Sequence, residues 1–162
     1  MTGDFQESLK LGKAIEERVS ALMSSKGYAV TVIDTMHRGD LSISGHGLDA
    51  FTIEVKGDYV AARTGRVCIE LLSNAHTDRP GWALTCRADA LAYCVDSPDG
   101  WCVYWVRFPA LIDALGEWLG KVGSRGGYRF GHSLNAGRNL TVSLMVPVRA
   151  LAAIAWKVEP LP

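Results

Sequence analysis

A chain of 162 residues is long enough for one domain with one sizeable core. Apolar residues at 48% and charged residues at 21% exclude a disordered tail, and no apolar run approaches the roughly 20 residues that span a bilayer. The 17 basic and 17 acidic residues cancel, which argues against wholesale nucleic-acid binding. Yet Trp118 to Val158 holds Lys121, Arg125, Arg129, Arg138, Arg149 and Lys157 and no Asp or Glu, so a phosphate-binding patch and a solvated basic loop both stay open.

The first residues include Asp4 and Glu7, with no basic segment leading into an apolar one, so no secretion signal is expected and the expected compartment is intracellular. Phe5 to Ser25 predicts a helix. Phe5, Leu11, Ile15, Val19, Leu22 and Met23 share one side at about 100° per residue, and Gly27 follows where a capping glycine belongs. On that wheel Glu16 lies about 70° from the apolar centre and Glu17 nearly opposite, so Glu16 is the carboxylate that can reach inward. It can equally extend to water.

Residues 28–33 predict a strand rich in β-branched side chains. Residues 40–44 and 50–56 alternate strictly about a turn at 45–48, and 67–72 repeat the pattern after a polar connection. Two further strands are expected at 88–95 and 101–107, around Ser97-Pro98-Asp99-Gly100. Pro109 opens an amphipathic helix to about Leu119, residues 120–138 read as a glycine-rich basic loop, 140–146 as a strand, and Pro147 opens a last helix to about Trp156. Strands in the middle with helices before and after predict one α+β domain, sandwich-like, rather than regular βαβ alternation. Cys68, Cys86, Cys94 and Cys102 include no C-x-x-C pair and predict reduced cysteines in or near the core. His37, His46, His76 and His132 show no ligand spacing.

The chemistry concentrates at Gly39-Asp40 and Ile53-Glu54-Val55-Lys56. Side chains alternate along a strand, so Glu54 and Lys56 share a face while Phe51, Ile53 and Val55 take the other. Folding the hairpin about His46-Gly47 pairs residues whose numbers sum to about 94, which sets Asp40 opposite Glu54 with Cβ atoms about 5 Å apart. Two such carboxylates repel unless a cation lies between them, and hard divalent ions favour oxygen ligands. Lys56 then stands ready to orient water and stabilise charge on a phosphate. The plain alternative is a surface hairpin of mixed charge. If the next hairpin pairs residues summing to about 124, Glu70 also falls beside Glu54 as a second ligand, a partner for Lys56, or an exposed residue.

These residues resemble the PD-(D/E)XK, or restriction-endonuclease-like, nucleases: an Asp at one strand start, then (Asp/Glu)-x-Lys on the next, here Asp40 and Glu54-Val55-Lys56. Gly39 stands where the motif has proline. Gly12-x-x-x-Glu16-x-x-Val19, ending at Gly27-Tyr28, is similar to the first helix of Holliday-junction resolvases. Thr64 to Glu70, with Thr85 and Ala88-Asp89, resembles phage and bacterial nucleases of the same group, so the likeness covers roughly residues 5–95. It implies a core with a central mixed β-sheet flanked by helices. It also implies Mg²⁺, with Mn²⁺ able to substitute, on Asp40, Glu54, the Val55 carbonyl and Glu16, with Glu70 as a further candidate. The implied activity is DNA phosphodiester hydrolysis, on branched or repair intermediates, by a cytoplasmic protein of bacterial or phage origin, with a homodimer as its relatives' common state.

Arg63, Thr64, Arg66, Arg79 and Arg87, then Lys121, Arg125, Arg129 and Arg138, are the candidates to hold the nucleic acid, through phosphates more than base edges. The competing reading is an inactive nuclease-fold protein that binds nucleic acid or inhibits another protein. A glycoside hydrolase using Asp40 and Glu54 would leave Lys56 without a role.

Overall fold

The computed structural model describes residues 3–35, 37–134 and 138–162, and side chains from residue 9 onward. The side chain of Phe5 and part of the predicted loop, 135–137, lie outside the described residues. In chain order the elements are α1 (Gly3–Ser25), β1 (Ala29–Val32), β2 (Leu41–Gly45), β3 (Leu48–Asp58), α2 (Ala61–Thr64), β4 (Arg66–Asn74), β5 (Arg79–Pro80) and α3 (Trp82–Thr85). They continue with β6 (Ala90–Ser97), β7 (Gly100–Arg107), α4 (Phe108–Gly120), β8 (Arg129–Leu134), β9 (Leu140–Pro147), α5 (Val148–Ile154) and β10 (Lys157–Pro160).

The fold is mixed α+β. A central mixed sheet runs β1-β2-β3-β6-β7-β10, with β3 and β6 parallel and its other pairs antiparallel. A second, antiparallel sheet runs β5-β4-β9-β8. Residue parity along β6 shows why the central sheet needs cover on both faces. Ala92 and Cys94 turn to a core completed by Ile15, Val19, Leu22 and Met23 of α1. Leu91, Tyr93 and Val95 turn to a core completed by the second sheet (Val67, Ile69, Leu144, Val146) and by α4 and α5. A strand apolar on both sides belongs in the middle of a sheet, and β6 takes that place.

α1 ends as its sequence predicts. Gly27 has φ +85°, its N–H donates to Ser24 O, and the N–H of Tyr28 donates to Met23 O, the paired bonds of a Schellman cap. Ile15, Val19, Leu22 and Met23 are buried, Glu16 is half-buried and Glu17 exposed, as the wheel predicts, but Leu11, expected on the same side, is exposed. Within the described residues no helix is long and apolar enough to cross a membrane.

Four expectations are corrected. The strand after the polar connection does not form a hairpin with β3: β4 leaves for the second sheet and β6 takes the neighbouring position. The predicted loop contains β8, whose side chains are mostly exposed and so leave little apolar alternation to read. The last helix stops at Ile154, and the chain returns as β10 to pair with β7. None of the four cysteines is in a disulfide, but Cys68 is exposed rather than packed inside.

Candidate active site

The β2–β3 register is Leu41↔Ile53, Ser42↔Thr52 and Ile43↔Phe51, each summing to 94. Asp40 therefore stands across from Glu54 as the alternation predicts, one residue before β2 begins. Gly39 sets this approach. Its φ is +93°, and a Cβ built there would meet Ile53 O at 2.8 Å and Ala88 Cβ at 3.1 Å. Proline, with φ fixed near −65°, does not fit this position.

Asp40 is tied to β3 twice. Its N–H donates to Ile53 O at 2.8 Å, and its Oδ2 accepts the Val55 N–H at 2.7 Å. β2 does not extend this far, so the Val55 N–H is free for the carboxylate, and the Val55 carbonyl leaves the strand along the same edge. On the next residue pair, Glu54 Oε1 pairs with Lys56 Nζ at 2.5 Å and Glu54 Oε2 accepts the Cys86 thiol at 3.4 Å. Glu54 is 8% exposed.

Burial, then repulsion from Glu54, raises the Asp40 pKa above the ordinary carboxylate value, and Lys56 and the Val55 N–H only partly offset this. Glu16 is also raised, by burial first and then by the Asp40 charge, so the α1 carboxylate lies in the field of this group. Burial lowers the Lys56 pKa, but Glu54 and Asp40 outweigh it and hold the ammonium above its usual value. Burial pushes the Cys86 thiol up to about 12, leaving it protonated as a donor.

Asp40 and Glu54 open on one cleft of about 570 Å³, together with Asp34, Glu70, Arg79 and Trp82. Glu70 thus reaches the site, though by the second sheet and not by the expected hairpin. Its Oε1 accepts the Trp82 N–H at 3.2 Å. Of the predicted phosphate contacts, only Arg79 lines this cleft. Thr64 and Arg66 line a second cleft beyond Lys56. Arg66 is committed to structure there, donating to Gly127 O at 2.9 Å and Thr64 O at 3.2 Å. Arg63, Arg87, Arg125, Arg129 and Arg138 are exposed and line neither cleft, while Lys121 pairs with Glu117 on the surface.

Among the described residues no three His, Cys, Asp or Glu side chains stand together as a metal-holding group. The oxygen donors that fit a hard cation are two carboxylates, of which Asp40 is destabilised by its neighbour's charge, and one strand-edge carbonyl. Sequence reasoning missed Cys86 and Trp82. Both lie in or beside α3, a single turn without periodicity, and nothing local marks them as facing Glu54 and Lys56. Protein-family models, curated proteins and solved structures give no match to this chain.

Proposed function

We propose that this protein is a divalent-cation-dependent nuclease of the PD-(D/E)XK type, acting on DNA phosphodiesters, with a restriction-endonuclease-like core. The observation that carries the reading is the placement of Asp40 and Glu54 on neighbouring strands over one cleft, with Lys56 beside them. Asp40, Glu54 and the Val55 carbonyl would hold Mg²⁺ or Mn²⁺, with Glu16 and Glu70 as outer carboxylates. The bound ion would supply Lewis acidity and a water of lowered pKa.

The protein's own residues do the remaining work. The Val55 N–H fixes the Asp40 carboxylate, so its second oxygen keeps one direction. Lys56 leaves Glu54 when a phosphate arrives, hydrogen-bonds the attacking water and stabilises charge on the non-bridging oxygens. Cys86 holds the far oxygen of Glu54 and limits rotation of that carboxylate.

The test is a cleavage panel of duplex, single strand, flap and four-way junction with Mg²⁺ or Mn²⁺. Wild type is expected to cut at least one member. Lys56→Ala is expected to bind the same DNA without cutting it, and undiminished cutting by Lys56→Ala would refute the assignment. One observation favours a second reading, an inactive nuclease-fold protein: both Glu54 oxygens already have partners. Calorimetry separates the two, since only the enzyme predicts Mg²⁺ binding that disappears in Glu54→Ala.

A further inference from the structure

Glu54 and Lys56 take one face of β3. The side chains that alternate with them, Phe51 and Ile53, line a pocket of about 260 Å³ on the other face, beside the end of α1. Ile43 and Leu48 extend its apolar wall, and Tyr28 and Trp156 add rings. Ala90 stands between Ile53 and Arg107 in the register of β3, β6 and β7. Its methyl group leaves room above β6, and Arg107 leans across that space. The guanidinium carbon lies 4.9 Å from the Phe51 ring centroid and 5.0 Å from that of Trp156.

The charges in this pocket do not balance. Lys26, Arg107 and Lys157 face one carboxylate, Glu159. Both lysines pair with it, Lys157 at 2.7 Å. Arg107 has neither an ion pair nor a side-chain hydrogen bond among the described residues. Arg66 and Lys56, by contrast, are bonded within the fold. The two rings hold Arg107 by its charge and leave its N–H donors unspent. A guanidinium so placed can offer two parallel N–H groups to a carboxylate or a phosphate. The volume is below the roughly 300–1,000 Å³ of sites for drug-sized ligands, which limits the occupant to one ring or one branched chain with its acidic head.

We propose that this pocket binds a small organic anion, with an apolar ring or branched chain against the aromatic and aliphatic wall and one carboxylate or phosphate on Arg107. The site is separate from the nuclease reading and does not depend on it.

The test is a ligand-observed NMR titration of the full chain with phenylacetate, phenyl phosphate, the neutral phenylacetamide, and acetate, which has the head without the ring. At least one of the two ring-bearing anions is expected to bind with a Kd of about 1 mM or tighter, ordinary for so few atoms. It should bind at least about tenfold tighter than the amide or acetate, the worth of one charge-assisted bond or of one buried ring. Arg107→Gln is expected to weaken the anion about tenfold and leave the amide unchanged. Arg149→Gln, the same charge change at an exposed residue outside the pocket, leaves both unchanged. Arg107 is itself exposed, and the comparison of anion with amide is made on wild type, so the test does not hang on the folding of a variant. Equal affinity for anion and amide, wild-type affinity in Arg107→Gln, or no binding of either ring-bearing anion overturns the site.

Discussion

At the end of the chain, Glu159 takes Lys26 and the Trp105 Nε1–H on one oxygen and Lys157 on the other, at 2.8 Å from Trp105 and 2.7 Å from Lys157. In roughly the first third of the chain, Asp40 and Glu54 have one lysine between them. The residue types are the same and the balance is reversed. Burial raises Glu159, but the bonds from Lys157, Lys26 and Trp105 outweigh it and its pKa is lowered. Burial also raises Asp40, and there the Glu54 charge adds to it. The first cluster is satisfied as it stands and ties β10 to β7 and to Lys26, just past the end of α1. The second carries one negative charge too many, which is the condition for admitting a cation.

The largest expected effect separates the two clusters by activity. Glu54→Ala is expected to lower cleavage by at least about 10²-fold, comparable with loss of a principal electrostatic group, while Glu159→Ala leaves the turnover of folded protein unchanged. If Glu159→Ala lost activity equally, the contrast between a structural and a catalytic cluster would fail.

The second effect is on stability and runs the other way. Glu159→Ala removes the acceptor of the Trp105 N–H, a loss of about 1 kcal/mol, or roughly 2–4 °C in Tm at this size. Because the Glu159 pKa is lowered, its contribution is present above the ordinary carboxylate value of 4.5 and fades as pH falls through the depressed value. Thermal melts of wild type and Glu159→Ala should therefore converge only in acid. Convergence at neutral pH would show that the cluster contributes nothing.

Legibility in the sequence divides along related lines. The β2–β3 register could be read because strict alternation on both sides of a glycine turn leaves one pairing that buries Leu41, Ile43 and Ile53 together. From that register Asp40, Glu54 and Lys56 followed. The sequence alone brings Glu70 near Glu54 through a hairpin that does not form, since a long connection does not fix which sheet the next strand joins. β8 and β10 escaped because edge strands with exposed side chains carry little periodic signal. The Arg66 guanidinium looked available and is bonded within the fold, a fact that depends on Gly127, 61 residues away.

The smallest effect tests the excess charge itself. Asn is isosteric with Asp and can still accept the Val55 N–H, so Asp40→Asn removes the charge and little else. A carboxyl whose folded pKa is raised contributes stability below its ordinary value, 3.8 here, and loses it as pH rises through the raised value. In EDTA at neutral pH, Asp40→Asn should therefore melt about 1–2 °C above wild type, with the difference closing in acid. Mg²⁺ should invert the order, because a ligand that binds only the folded protein stabilises it in proportion to its affinity, and the variant has lost a charged ligand. An Asp40→Asn protein that stays ahead of wild type at saturating Mg²⁺ would mean that the repulsion between Asp40 and Glu54 is a cost the fold carries for some purpose other than holding a cation.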